Sequence, residues 1–260
     1  MNKTFFTFFL FLTSWGFYSQ NSKNYCGELT YKLTTNFAYP HTTEFKMIFN
    51  DSISFSSELN VIDKEAKYEK EISERGQTNK IIAGRKIITP IFFLNKKNDF
   101  YFSDITEDNY LVVKEDYFDW NWKIHEDLKF IGSFECQKAT IHFRGHDYVA
   151  WFTNSIPVPF GLWKFKGLSG LILEVNDTKG KVSITTENIQ LMSNKMCSFN
   201  YNPEILKKSL TIKEFLKKQN EIMKDFFKKL SSKLPKEAPP LVLDEDCEDC
   251  KDEMLEIFVK

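Results

Sequence analysis

Apolar and polar residues alternate with a period of two through most of the chain before residue 200. Aromatic and β-branched residues at every second position fit a half-buried pleated surface, so this pattern predicts strands. The predicted strands are Cys26–Phe37, Phe45–Phe49, Ile53–Ser57, Lys80–Phe93, Phe100–Ile105, Tyr110–Lys114, Phe134–Phe143, Tyr148–Thr153, Leu171–Val175 and Lys181–Leu191. Polar turns connect them, and no helix pattern long enough for parallel crossovers lies between them. We therefore predict a mainly β fold, a curved antiparallel sheet in a meander or half-barrel.

The stretch Tyr148–Val175 joins an aromatic strand to an aliphatic strand through a loop rich in proline and glycine. Pro157 and Pro159 cannot donate ladder hydrogen bonds, so they place this loop outside the sheet. Its glycines are expected to supply positive φ angles where the chain turns back. These glycines are Gly161, Gly167 and Gly170.

After Asn200 the pattern changes to a helical period. Thr211 and Glu214 have the spacing of a capping box, and Pro235 ends the pattern, so a C-terminal amphipathic helix is predicted. Its apolar positions are Ile212, Phe215, Leu216, Ile222, Met223, Phe226, Phe227, Leu230 and Leu234. The favoured interpretation is that the apolar face covers one side of the sheet. Because the opposite face is rich in lysine, contact with a membrane surface stays open as the alternative.

The two ends of the chain differ in composition from its middle. Residues 1–20 combine a short basic start with an apolar run that is shorter than a spanning helix, which predicts a signal peptide. The chain then divides into a β domain over 21–200, the helix with a proline-containing linker over 201–240 and an acidic tail over 241–260. We expect an exported protein with no transmembrane segment after cleavage. Its expected place is the periplasm, the outer membrane surface or the medium.

The composition agrees with export and argues against one class of partner. Hydrophobic residues make up 42% of the chain, and 26 of its residues are Phe, so the core is expected to be strongly aromatic. The net charge is only −1, which argues against a nucleic-acid partner. Five cysteines in an exported chain favour at least one disulfide, with the connectivity open and one thiol left over.

Cys247 and Cys250 form a Cys-x-x-Cys pair within the acidic tail. Such a pair can close as a local disulfide, bind a soft metal or cycle as a dithiol. A structural zinc site needs four ligands, and no second cysteine pair or histidine pair lies near in sequence. The surrounding carboxylates also disfavour the reactive thiolate. A local disulfide or an unstructured tail is favoured, a metal-binding or redox module is the alternative, and no cofactor is expected.

The sequence contains few candidates for catalytic residues. Four acidic residues beside the tryptophans could act as paired carboxylates in a hydrolase, although charged strand edges are the simpler interpretation. They are Asp116, Asp119, Glu126 and Asp127. Ser169 lacks the strand-to-helix context of a nucleophile elbow and is interpreted as a turn residue. His142 and His146 flank a predicted turn and are interpreted as surface residues, so no catalytic or metal-binding residue is predicted here.

Several sequence blocks between Trp120 and Leu191 occur in a fixed order. They are Cys136–Thr140, Phe143–Gly145, Ala150–Thr153, Ile156–Gly161 and Gly167–Val175. In these blocks the chain resembles the GLPGLI family of exported bacterial proteins. The family motif corresponds to Gly167, Leu168, Ser169, Gly170, Leu171 and Ile172, with Ser169 in place of the family's proline. The family has no established biochemical role, so the resemblance implies export and architecture only. The strand order is also similar to that of LolA-like carriers, which is an analogy of fold.

The aromatic residues around these blocks are the candidate ligand-binding residues. They are Trp120, Trp122, Trp151, Phe152, Phe160, Trp163 and Phe165. Either they line a concavity, or they fill the core. We expect a non-enzymatic exported protein that binds a hydrophobic or peptide ligand, or an envelope partner. A wide open cup would favour carriage of a ligand, whereas a filled interior would favour an interaction surface.

Overall fold

The structure is a computed structural model. It describes residues 25–37, 39–59, 91–95, 99–106, 109–115, 118–192, 197, 199, 203–233 and 256. The predicted signal peptide, most of the predicted strand Lys80–Phe93 and the pair Cys247 and Cys250 lie outside the described residues. Predictions about those segments stay predictions.

A single twelve-stranded sheet contains all the named strands. They are β1 (Cys26–Thr35), β2 (His41–Asn50), β3 (Ile53–Glu58), β4 (Ile91–Asn95), β5 (Phe100–Thr106), β6 (Asn109–Glu115), β7 (Lys123–Ile131), β8 (Phe134–Phe143), β9 (His146–Thr153), β10 (Leu171–Asp177), β11 (Val182–Met192) and β12 (Leu210–Thr211). Their order across the sheet is β12-β6-β5-β4-β3-β2-β1-β11-β10-β9-β8-β7. Neighbours are antiparallel except β12, which runs parallel to β6. The predicted fold class, a mainly β protein with a large open antiparallel sheet, is confirmed.

Two meanders, β1 to β6 and β7 to β11, meet where β1 pairs with β11. Cys26 lies opposite Met192 in this pairing, and Thr35 lies opposite Val182. A disulfide joins Cys26 to Cys197, with the two Cα atoms 6.1 Å apart and 171 positions between them in sequence. It therefore fastens the start of β1 to the segment that follows β11. Cys136 is a buried free thiol, and burial raises its pKa to about 11.

The loop 154–170 between β9 and β10 covers one face of the sheet. Its buried apolar side chains are Ile156, Val158, Phe160, Leu162, Trp163, Phe165 and Leu168. The Phe165 ring packs edge-on to Tyr148 of β9, with the ring centres 4.8 Å apart. The backbone N–H of Trp163 donates to the Tyr31 hydroxyl of β1 at 3.4 Å. The loop thus provides the apolar layer that a half-buried sheet needs.

Two helices follow the last long strand, α1 (Pro203–Leu206) and α2 (Ile212–Ser231). The predicted capping box is present: the Glu214 N–H donates to the Thr211 hydroxyl at 3.2 Å, and the Thr211 N–H donates to the Glu214 carboxylate at 2.8 Å. The prediction that α2 covers the sheet is wrong for most of its length, because only Phe215 is buried. Among the described residues, no helix is both long and apolar enough to cross a membrane.

Two further expectations need correction. The strand β7 was not predicted, because Lys123–Ile131 interrupts its apolar positions with charged ones, as exposed edge strands do. Of the three loop glycines, only Gly167 has a positive φ, at 92°. A Cβ at Gly170 would lie 2.0 Å from the Thr153 carbonyl oxygen, and one at Gly161 would lie 2.8 Å from the Phe165 carbonyl oxygen. These two glycines are therefore required for space rather than for their φ angle.

Candidate functional site

A small pocket opens where the loop 154–170 meets β5, β6 and β8. We call it the lysine pocket, and its lining residues are Phe100, Glu115, Phe118, Trp120, Phe143, Lys164 and Lys166. Its volume is about 270 Å³ with the open mouth included. The part of this space that the centre of a water-sized group can occupy is about 20 Å³, far below the roughly 300 to 1,000 Å³ of pockets for drug-sized ligands. With Glu256 in place, the lysine pocket therefore admits only a very small group.

The loop places its two lysines in this pocket through backbone and indole contacts. Lys166 pairs with Phe160 in an isolated antiparallel bridge. The indole N–H of Trp122 donates to the Lys166 carbonyl oxygen at 2.8 Å. Trp163, directly before Lys164, has a φ of 55°. A bulky residue rarely adopts this left-handed conformation, and such outliers concentrate at functional sites.

Lys164 stands at the centre of a buried ion cluster. Its Nζ lies 2.8 Å from the Glu115 carboxylate and 2.7 Å from the Glu256 carboxylate. Arg144 contacts the same two acids, with Nη2 at 2.6 Å from Glu115 and Nε at 3.9 Å from Glu256. The Lys164 and Glu115 side chains are each only 4% exposed. Two cations thus share two carboxylates, and one of these carboxylates comes from 92 positions further along the chain.

Three aromatic rings also lie close to the Lys164 ammonium. Its Nζ lies 5.1 Å from the ring centres of Phe100 and Phe102 and 4.9 Å from that of Trp163. Ring faces attract cations and, when they are desolvated, stabilise the charge more strongly. The rings therefore hold the ammonium in place while its N–H groups stay directed at carboxylate oxygens.

Lys166 is a buried cation of the pocket. The residue is 5% exposed, and its Nζ has no hydrogen-bond partner within the described part of the chain. Burial lowers the pKa of Lys166 from 10.5 to about 8, and the negative charge of Asp99 opposes this shift only in part. A buried ammonium without a hydrogen-bond acceptor is costly, so this group would gain from an acceptor that enters the pocket.

Burial of the Glu256 carboxylate costs desolvation free energy. Burial raises the pKa of Glu256, while the positive charges of Lys164 and Arg144 oppose that shift. Desolvation of a buried ion pair offsets much of its Coulomb attraction. The net stabilisation from the contact between Glu256 and Lys164 is therefore smaller than its short distances suggest.

The predicted aromatic wall is divided between core and pocket. Phe152, Phe160, Trp163 and Phe165 are at most 4% exposed and fill the interior. Trp120 lines the pocket and stacks on Phe143 at 4.9 Å. Trp122 stacks on Trp120 with ring centres 5.9 Å apart. Trp151 lies elsewhere, with the Lys129 ammonium 4.4 Å from its ring centre. These seven residues therefore do not line one concavity.

The other residues singled out in the sequence lie apart from the pocket chemistry. Asp119, Glu126 and Asp127 are exposed, and Asp116 lies outside the described residues. His142 is exposed, but His146, expected at the surface, is buried with Nδ1 3.8 Å from Asp177. Within the described ranges, no group of three potential metal ligands occurs. In the family motif, Leu168, Leu171 and Ile172 are core residues, and the Ser169 hydroxyl donates to Asn154 at 2.7 Å.

Sequence reasoning missed the charged residues of the site. They are Glu115, Arg144, Lys164, Lys166 and Glu256. A signal for the lysines was present in Trp163-Lys-Phe-Lys166, where two charges alternate with large aromatics in an otherwise apolar loop. The described residue of the predicted acidic tail, Glu256, lies against Lys164 and Arg144.

Comparison with known proteins gives only distant similarities. No family model matches the chain, and no curated protein matches it. A structure of PNGF-II is 12% identical with a TM-score of 0.46, over 72% of this chain and 30% of that protein, so the chain spans less than a third of it. An uncharacterized conserved protein from Thermus thermophilus is 6% identical with a TM-score of 0.37, over 72% and 89% of the two chains. A LolA superfamily protein from Nitrosomonas europaea is 8% identical with a TM-score of 0.30, over 70% and 93%. The resemblance to the GLPGLI family stays a prediction.

Proposed function

We propose that this is an exported, non-enzymatic β-protein of the GLPGLI type, and that it binds a peptide segment of an envelope partner. In this proposal the lysine pocket receives an acidic side chain of that segment. The observation that carries the proposal is the Glu256 carboxylate on the Lys164 ammonium, at 2.7 and 2.8 Å. A peptide carboxylate from a distant part of the chain fits this place, and a carboxylate of another chain has the same chemistry.

The charges of the pocket favour an acidic ligand. Without Glu256, the Lys164 ammonium would keep Glu115 and lose the other carboxylate that it contacts. Lys166 adds a second ammonium, whose Nζ has no hydrogen-bond partner among the described residues. A buried ammonium that loses its counter-ion is costly, so the site would favour an acidic ligand in place of Glu256.

The aromatic surroundings favour a peptide over a free anion. Trp120, Phe118 and Phe143 line the same pocket as the lysines. A glutamate side chain has a methylene stem that can contact these rings while its carboxylate reaches Lys164. A long acyl chain would need more room than the pocket has, since the remaining predicted wall residues are core. This supports an interaction surface over a carrier of a large hydrophobic ligand.

Export to the cell envelope is supported by the cysteine chemistry. A disulfide such as Cys26–Cys197 is typical of proteins in oxidising compartments, because cytosolic reductants keep most thiols reduced. This agrees with the signal peptide predicted over residues 1–20. The proposed place of action is therefore the periplasm or the surface of the outer membrane.

A binding experiment with the chain's own tail tests the proposal. The Glu256→Gln variant removes the internal carboxylate, and a labelled peptide Lys251–Lys260 then offers it from outside. We expect this peptide to bind, and an otherwise identical peptide with Gln for Glu256 to bind at least about tenfold more weakly, since a charge-assisted hydrogen bond contributes roughly 1.5 to 3 kcal/mol. Fluorescence anisotropy measures both affinities.

The matched peptides share length and apolar content, so only the carboxylate distinguishes them. Equal affinities, or no binding of either peptide, would count against a carboxylate site. Mass spectrometry of the same samples tests the non-enzymatic part. Recovery of the intact peptide is expected, and specific cleavage that disappears in Asp119→Asn would favour a hydrolase instead.

A further inference from the structure

Within the described part of the chain, the C-terminal half of α2 presents an exposed apolar stripe. Met223 is 45% exposed, Phe226 is 56% exposed and Leu230 is 39% exposed. Residues three and four apart lie on the same face of a helix, so these three side chains form one surface. Phe215 lies about two helical turns before Met223 and belongs to the same stripe. It is buried against Phe102, with the ring centres 5.5 Å apart. The stripe therefore begins on the sheet and continues beyond it.

The first half of α2 is fixed to the protein. The capping box closes its N-terminus, Phe215 packs on Phe102, and the Gln219 side-chain amide donates to Asp104 at 3.0 Å. Because the exposed half continues the same helix, its direction is set by this anchored half. The stripe is thus held out from the sheet edge and need not fold on binding.

The charges of α2 are sorted around this stripe. At about 100° per residue, four lysines fall about 100 to 120° from the centre of the apolar arc, along its two borders, and the acidic residues fall about 140 to 180° from it. One border carries Lys213 and Lys224, the other carries Lys218 and Lys229, and the far face carries Glu214, Glu221 and Asp225 together with Lys217 and Lys228. Lysines beside an apolar stripe can lay their stems on it and extend their ammonium groups sideways. This arrangement complements a flat surface that is apolar below and negatively charged at the level of the lysines.

We propose that the C-terminal half of α2 docks on an anionic phospholipid surface. Met223, Phe226 and Leu230 insert at the boundary between headgroups and acyl chains, and the bordering lysines contact the phosphates. The acidic residues face water. The protein is thereby held at a membrane surface while its lysine pocket, on other elements, stays free to bind.

Flotation with lipid vesicles tests this docking on the mature chain that begins at Asn21. We expect binding to vesicles of phosphatidylglycerol mixed with phosphatidylcholine, much weaker binding to phosphatidylcholine alone, and loss of binding in high salt. Phe226→Asp should lower the partition coefficient at least about tenfold, since it removes an inserted ring. Lys224→Glu together with Lys229→Glu, one on each border, should lower it on charged vesicles.

Phe130→Asp is the matched control, because Phe130 is 71% exposed but lies on the edge strand β7. Its partition coefficient should equal that of the unchanged protein. The docking is wrong if the unchanged protein does not float with charged vesicles, or if Phe130→Asp loses as much binding as Phe226→Asp. It is also wrong if sedimentation shows that the stripe joins two copies of the chain and that vesicles do not separate them. Circular dichroism confirms that each variant is folded.

Discussion

At the scale of single residues, the protein buries charges that most cores exclude. Glu115, Lys164 and Lys166 are all at most 5% exposed. The first two neutralise each other, with Arg144 and Glu256 completing the cluster. Lys166 differs, because no hydrogen-bond partner for its Nζ lies among the described residues, although the Asp99 charge acts on it. A buried ammonium without an acceptor lowers stability, and its retention is explained if the group meets an acceptor only when a ligand is bound.

Replacement of this lysine is expected to stabilise the unliganded protein. Lys166→Met should raise the free energy of unfolding at about pH 7 by roughly 2 kcal/mol, because it removes a desolvated ammonium and keeps the apolar stem. The pKa of Lys166 falls from 10.5 to about 8 in the folded protein. Between these values the unfolded chain binds more protons, so the unchanged protein gains stability as the pH rises through this window. The difference in free energy of unfolding between Lys166→Met and the unchanged protein should therefore be smaller at about pH 10 than at about pH 7.

Urea unfolding at the two pH values measures this difference. A methionine variant that is less stable at about pH 7 would mean that Lys166 has a stabilising partner. An advantage that stays the same at about pH 10 would mean that the ammonium is not the cause.

The residue scale also shows where sequence reasoning reached its limit. Trp120 was predicted as a ligand-binding residue and does line the pocket. Lys164 was missed, because its role depends on Glu115 and Glu256, which lie 49 and 92 positions away. No local period encodes a contact of that kind. Trp163-Lys-Phe-Lys166 marks an unusual local environment, but only the fold reveals which acids meet it.

At the scale of elements, alternation predicted the strands well wherever one face is buried. The strand β8 was predicted with its observed bounds, and the capping box set the start of α2 correctly. The edge strand β7 was missed, since both of its faces contact water and the alternation fades. The cover of the sheet was assigned to α2, whereas the loop 154–170 provides it. The prolines and glycines of this loop interrupt the alternation of its apolar residues, so the sequence pattern did not predict a covering layer there.

The junction between this loop and β10 depends on one glycine for space. Gly170→Ala should lower the free energy of unfolding by more than about 3 kcal/mol, because its Cβ would meet the Thr153 carbonyl oxygen and backbone must move. Gly132→Ala is the control, since Gly132 has a φ of 57° but no atom within 4 Å of an added Cβ. Gly132→Ala should lower the free energy of unfolding by only roughly 1 to 2 kcal/mol, which is the cost of placing an alanine in the left-handed conformation. Thermal unfolding compares them, and equal costs would contradict the close packing of this junction.

At the scale of the whole molecule, two meanders, one disulfide and one covering loop make a filled structure. The mainly β class was predictable, because it depends on local alternation summed over many strands. The pairing of β1 with β11 was not, since it joins segments from opposite ends of the domain. The buried aromatic residues make the interior a core.

The central claim is that the lysine pocket is a carboxylate site which Glu256 fills from within the same chain. The most direct measurement is the affinity of the acidic peptide Lys251–Lys260 for the unchanged protein and for Glu256→Gln, determined side by side. The account predicts tighter binding to Glu256→Gln, because the internal competitor is gone. Equal affinity for the two proteins would show that the peptide and Glu256 do not share a site, and would contradict the account.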